Sequence, residues 1–167
     1  MNQYFTLFQL EPQFDLDLNT LEQTYRRLAA RFHPDKCAAA SSFEQKQAMM
    51  MASTLNEAYR TLKSPLNRAA YLLKNQGVDA DAPEHTQFAP EFLMQQMEWR
   101  ETLEDARTEH NHPALSALAQ EISAEQTALY QQLAAAFSRQ DYENAAALVR
   151  QGRFLDKLQQ EIQVALP

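Results

Sequence analysis

At 167 residues, 45% of them apolar, the chain is long enough for one large domain or two small ones with a buried core. Its only glycines, Gly77 and Gly152, leave no glycine-rich phosphate loop, and the abundance of Ala, Leu, Gln and Glu predicts an all-α protein. A lone cysteine, Cys37, excludes an internal disulfide framework or a zinc site of several thiolates, and the net charge of −7 argues against nucleic acid as a partner.

In chain order, the first residues, Met1 to Phe5, lack the basic and apolar regions of a secretory signal, and no later run approaches the roughly 18 apolar residues of a membrane span. A soluble, cytoplasmic protein with no membrane partner is expected. Asp17 can cap a helix in which Leu21, Tyr25, Leu28 and Phe32 share one face, with Leu16 and Leu21 at the spacing of a hydrophobic staple. Arg26, Arg27 and Arg31 face elsewhere and form a basic face that runs into His33-Pro34-Asp35-Lys36. Pro34 disfavours helical geometry at His33, so the helix should end near Phe32 or His33 and present Asp35 on a loop. After Ser41-Ser42, either of which can cap, an apolar pattern clearest at Leu55, Ala58, Tyr59 and Leu62 predicts the second arm of a helical hairpin. Ser64-Pro65 then opens a shorter helix through Ala69, Leu72 and Leu73.

Gly77, Asp79, Asp81, Pro83 and Pro90 interrupt helical periodicity, which divides the chain into a domain over 1–76, a linker over 77–89 and a second domain over 90–167. Residues 1–76 carry nine Lys and Arg against seven Asp and Glu, and residues 77–167 six against fifteen, so the halves have net charges of +2 and −9. Two surfaces with different partners are expected from that asymmetry. In the acidic half, Phe92, Trp99, Leu103 and Ala106 make one inward stripe, while Leu93, Met94 and Met97 spill beyond it beside Glu98, Glu101 and Asp105. Spacing leaves two readings of that spill open: an adaptable docking patch, or packing against neighbouring helices. Pro113 can open a middle helix with Leu115, Leu118, Ile122, Leu129, Leu133 and Ala136 on one face, and Asp141 can cap a last helix with Leu148, Leu155, Leu158 and Ile162 inward. Antiparallel neighbours joined by short loops give a bundle. Gly152 either weakens the last helix or admits close packing.

Catalytic and metal readings are weak. His33 and Asp35 lie too close in sequence for a general base and its orienting carboxylate, and no second constellation accompanies them, so no enzyme is expected. The alternation His33, Asp35, Cys37 gives little convergence for a metal, and His110 and His112, in the turn before Pro113, lack a third ligand. No cofactor is expected.

The basic helix leading into His33-Pro34-Asp35-Lys36, followed by Asn56-Glu57-Ala58-Tyr59-Arg60-Thr61-Leu62, Ser64-Pro65 and Arg68-Ala69-Ala70-Tyr71, resembles a J domain. With Tyr4-Phe5-Thr6-Leu7-Phe8 as a short first helix, the resemblance covers roughly residues 2 to 75. It implies contact with a DnaK-type chaperone through His33, Pro34 and Asp35, near the junction of the chaperone's nucleotide- and substrate-binding parts. Arg26, Arg27, Arg31 and Lys36 would support that contact, and the result would be stimulated ATP hydrolysis in the chaperone. The chain has neither a Gly/Phe-rich segment nor repeated Cys-x-x-Cys motifs after this region. Instead, Pro90-Glu91-Phe92-Leu93-Met94-Gln95-Gln96-Met97-Glu98-Trp99-Arg100-Glu101 and Arg153-Phe154-Leu155-Asp156-Lys157-Leu158 resemble the HscB family of iron–sulfur cluster co-chaperones. That resemblance implies an L-shaped monomer whose C-terminal three-helix bundle binds the scaffold protein IscU through Leu93, Met94, Met97, Glu98, Glu101, Asp105 and Phe154. The chaperone would then be HscA. Asp105 is shorter than the glutamate this position can carry, and Phe154 also suits a core. The alternative is a general J-domain co-chaperone with another client.

Overall fold

The computed structural model describes residues 2–82 and 88–167, so Pro83 and the rest of 83–87 in the expected linker lie outside it. Among the described residues all regular structure is helical: α1 Gln3–Leu7, α2 Leu18–Arg31, a one-turn 3₁₀ helix Pro34–Lys36, α3 Ser42–Lys63, α4 Pro65–Asn75, α5 Pro90–Thr108, α6 His112–Ser138 and α7 Tyr142–Ala165. The chain forms two compact units, Met1–Gln76 and Gly77–Pro167.

In the first unit, side-chain oxygens satisfy the amides that a helix N-terminus leaves open. The Asp17 carboxylate accepts from the Asn19 and Thr20 amides, Ser41 from Glu44, and Ser64 from Asn67 with Pro65 following. α2 and α3 are antiparallel, because Tyr25 stacks on Tyr59 at 4.1 Å and its hydroxyl donates to Asn56, while Phe32, a later residue of the first arm, and Ala48, an earlier residue of the second, line one cleft. Tyr4 of α1 stacks on Tyr71 of α4 at 4.7 Å, and the Tyr71 hydroxyl accepts from the Tyr4 amide. The α2 face expected to be buried is graded. Leu21 is fully buried, whereas Tyr25, Leu28 and Phe32, nearer the turn, are only partly so.

Arg68 is the buried charge of this unit, at 5% exposure. Its guanidinium donates to the carbonyls of Phe14 and Leu62, each at 2.7 Å, and lies 5.0 Å over the Phe14 ring. Burial lowers its pKa, with the Asp15 charge opposing the shift. The side chain ties the loop before α2 to the end of α3. Arg68→Met fills much of the volume but strands two buried carbonyls, and a loss of about 2–4 kcal/mol is expected. Urea unfolding of the two proteins measures it directly.

In the second unit, Ala119 pairs with Gln159 and Gln126 with Asp156, so α6 and α7 are antiparallel. Phe92 meets Phe154 and Arg100 pairs with Glu161, so α5 runs parallel to α7. The result is an up-down-up three-helix bundle. Its core holds every inward residue expected of α6 and α7, together with Trp99, Leu103 and Ala106 of α5. Gly152 is buried within α7.

Gly77, with φ 81°, takes the left-handed position just beyond α4, where glycine was expected to end a helix, but three other left-handed turns do without glycine. Gln9, His110 and Gln140 have φ of 57°, 51° and 59°, each just beyond a helix C-terminus. Each sits in a Schellman motif: the Leu10, Asn111 and Asp141 amides donate back to Phe5, Ala106 and Ala136 carbonyls at 2.8–2.9 Å. Asn111 and Asp141 close one helix and cap the next, their side chains accepting from Ala114 and Asn144. The expected turn through His112 is therefore shorter by one residue, since His112 is already the first residue of α6.

Candidate docking surfaces

Helix α2 ends at Arg31, and Pro34 starts the 3₁₀ turn with His33 as its cap. His33 Nδ1 accepts from the Asp35 amide at 3.2 Å, so a neutral ring carries its proton on Nε2. The same Nδ1 lies 3.6 Å from Asp35 Oδ2, too far for a hydrogen bond. The Asp35 backbone is thus fixed by the cap while its carboxylate projects into solvent. Arg26 is paired with Glu22 at 2.8 Å; among the described residues Arg27, Arg31 and Lys36 form no salt bridge, and Arg31 lies 5.7 Å over the Phe32 ring. The turn and three exposed cations make a surface suited to a partner with acidic groups.

Two clefts flank this turn and were not anticipated. One, about 520 Å³, is lined by Phe32, Pro34, Cys37, Ala48 and Met49; the other, about 770 Å³, by Arg31, Lys36, Cys37, Met50 and Met51. Of the lining residues, Met49 and Met50 are largely exposed, as is Phe43 in the first turn of α3. The available signal was the run Met49-Met50-Met51, because three consecutive helical positions cannot all face a core.

On the second unit, Met94 and Met97 are 64% and 71% exposed and so are not packed into the bundle, while Leu93, at 43%, is partly covered. Glu98, Glu101 and Asp105 continue the same side of α5 at helical spacing and are also exposed. Phe154 is half-buried. It lies 5.8 Å from Phe92 and 6.4 Å from Trp99, with the Arg100 guanidinium 5.3 Å over its ring. Trp99 is fixed in turn by an Nε1 donation to Glu121 at 3.0 Å. Next to Phe154, Arg153 donates to both Asp81 oxygens at 3.0–3.1 Å, holding the Asp79–Ala82 turn against α7. The stripe on α5 and the aromatic cluster are thus separate in character, one apolar and open, the other anchored.

Asp156 is the perturbed carboxylate of the bundle. Burial raises its pKa, against the lowering effects of Arg153 and of the hydrogen bond from Gln126; burial also raises Tyr130, with Asp156 contributing. An aspartate with a raised folded-state pKa destabilises the fold above that pKa and ceases to do so below its unfolded value. Asp156→Asn should therefore raise the melting temperature at pH 7, and the gain should vanish as pH falls through the carboxylate range. Thermal unfolding against pH tests this.

Among the described residues, no three His, Cys, Asp or Glu side chains converge as a metal site, and no helix is long and apolar enough to cross a membrane.

Residues 3–71 match the family described as DnaJ domain. A helical hairpin with a His-Pro-Asp turn, matched in this way, defines a J-domain co-chaperone: a protein that stimulates the ATPase of an Hsp70-type partner and is not itself an enzyme. Residues 88–163 match the HSCB C-terminal oligomerisation domain. The chain is 67% identical over 166 residues to a co-chaperone protein HscB homolog of Neisseria meningitidis, covering 99% of this chain and all of that one. It also matches the structures of the chaperone HscB from Vibrio cholerae (39% identity, TM-score 0.84, covering 96% and 95% of the two chains) and of human co-chaperone protein HscB (27%, 0.90, covering 96% and 80%). The chain belongs to the HscB family of co-chaperones, which serves iron–sulfur cluster assembly.

Proposed function

We propose that this co-chaperone holds the scaffold IscU on its C-terminal bundle and delivers it to the DnaK-type chaperone HscA, working as a monomer in the cytoplasm. On this reading residues 1–76 form the chaperone-facing domain, 77–89 the linker and 90–167 the scaffold-facing bundle. Leu93, Met94 and Met97 supply the apolar contact, Glu98, Glu101 and Asp105 orient a basic partner surface, and Phe154 adds an aromatic edge. His33, Pro34 and Asp35, with Arg26, Arg27, Arg31 and Lys36, engage HscA. A tether between the two raises the local concentration of scaffold near chaperone without any new contact.

The observation that carries the reading is the exposure of Leu93, Met94 and Met97 beside three exposed acids. Apolar side chains left in water in such a row mark a docking site more often than a solubility accident. The test is single-turnover ATP hydrolysis by HscA with this chain, with IscU, and with both. Stimulation by both well beyond the product of the separate effects supports the reading. Stimulation by the chain with no added response to IscU would leave a J-domain co-chaperone of a different client.

A further inference from the structure

Among the described residues, methionine is absent from the buried core. The sequence has six; apart from Met1, which lies outside the described residues, all stand on α3 and α5. Met49, Met50, Met94 and Met97 expose 68%, 70%, 64% and 71% of their surface, and Met51 is partly exposed. The core is instead Leu, Ile, Val, Ala, Phe and Trp. A flexible thioether usually serves as a core gap-filler or as a feature of adaptable binding surfaces. Among the described residues no methionine fills the core. Met49 and Met50 line the two clefts flanking the Pro34–Lys36 turn, and Met94 and Met97 stand with Leu93 on α5.

We propose that these four thioethers are sites of reversible oxidation by peroxide, which silences docking at both surfaces while the fold stays intact. The sulfur lone pair attacks one peroxide oxygen; the O–O bond breaks, an S–O bond forms, and the peroxide leaves as water. Sulfur loses two electrons and the peroxide gains them. A dithiol reductase reverses the step, the sulfoxide oxygen leaving as water as the two thiols become a disulfide. Accessibility governs the rate, so the exposed four react first. The product is a polar, chiral group where an apolar one stood, which opposes burial against a partner. No core residue changes, so unfolding does not accompany the modification.

The loss of docking rests on the proposed function, but the chemistry does not, and the test separates them. The full chain is treated with hydrogen peroxide, then briefly with dithiothreitol, which restores Cys37 and leaves sulfoxides. Peptide mass mapping should place oxygen on Met49, Met50, Met94 and Met97, with an unchanged melting temperature. Affinity for IscU should fall roughly tenfold or more, the order set by losing one buried apolar side chain, and methionine sulfoxide reductase should restore it. Stimulation of HscA by the chain alone should fall alongside. The double variant Met94→Leu, Met97→Leu, compared with its own untreated affinity, should lose less than about twofold on oxidation. Oxygen added elsewhere first, sulfoxides formed with docking unchanged, or an equal loss in the leucine variant would each overturn the proposal. Absence of IscU binding before any treatment would sink the client assignment instead, and mass mapping with chaperone stimulation would still decide the oxidation.

Discussion

His33→Gln is expected to abolish stimulation of HscA while leaving IscU affinity within about twofold, because it acts on one unit of a two-unit chain. The His33 ring does a local structural job: its Nδ1 accepts from the Asp35 amide and fixes the direction in which the carboxylate emerges. Glutamine offers an acceptor on a longer, freely rotating stem, so Asp35 samples orientations that the partner must then select among, at an entropic cost. His33 and Asp35 are both exposed, and neither contributes to the core, so the melting temperature should hold. Single-turnover ATPase and a separate IscU titration read the two arms. Surviving stimulation with an intact fold would remove His33 from the chaperone surface.

Leu93→Ala with Met97→Ala should do the reverse. Each truncation removes apolar area that a partner would bury, worth about 1.5–3 kcal/mol for a full side chain, so a loss of roughly 100-fold in IscU affinity is expected from the pair. Stimulation of HscA by the chain alone should be unaffected. Met97 is largely exposed and Leu93 partly covered, so the melting temperature of the variant separates lost packing from lost binding. Titration calorimetry is the direct measurement, and an unchanged affinity would reassign the client surface to another face of the bundle.

Much of the architecture could be read from residue order because it is local. Asp17, Ser41, Ser64-Pro65 and Asp141 announce helix starts within three residues, and the inward rows of α6 and α7 follow a 3.6-residue period that a sequence displays openly. What escaped was tertiary. Arg68 was legible only as part of a motif, and its burial depends on two backbone carbonyls far apart in sequence that accept its hydrogen bonds. Its spacing four residues before Leu72 was the available hint. The left-handed caps at Gln9, His110 and Gln140 escaped for another reason: glycine is their usual marker, and none of these positions carries it. On α5, periodicity identified the inward stripe, but deciding whether Leu93 and Met97 meet a neighbouring helix requires knowing where that helix lies.

Asn111 and Asp141, each ending one helix and beginning the next, leave the bundle's connections without slack. Chain reversal is written into a handful of consecutive residues, so each helix finds its sequence neighbour across a very short closed loop. The entropy of bringing distant segments together is largely avoided, and assembly should fall in the microsecond-to-millisecond range of about that order for topologies rich in local contacts. For a protein synthesised from its N-terminus, the second unit is then one that spends little time with its exposed apolar α5 side chains unsupported by a folded bundle.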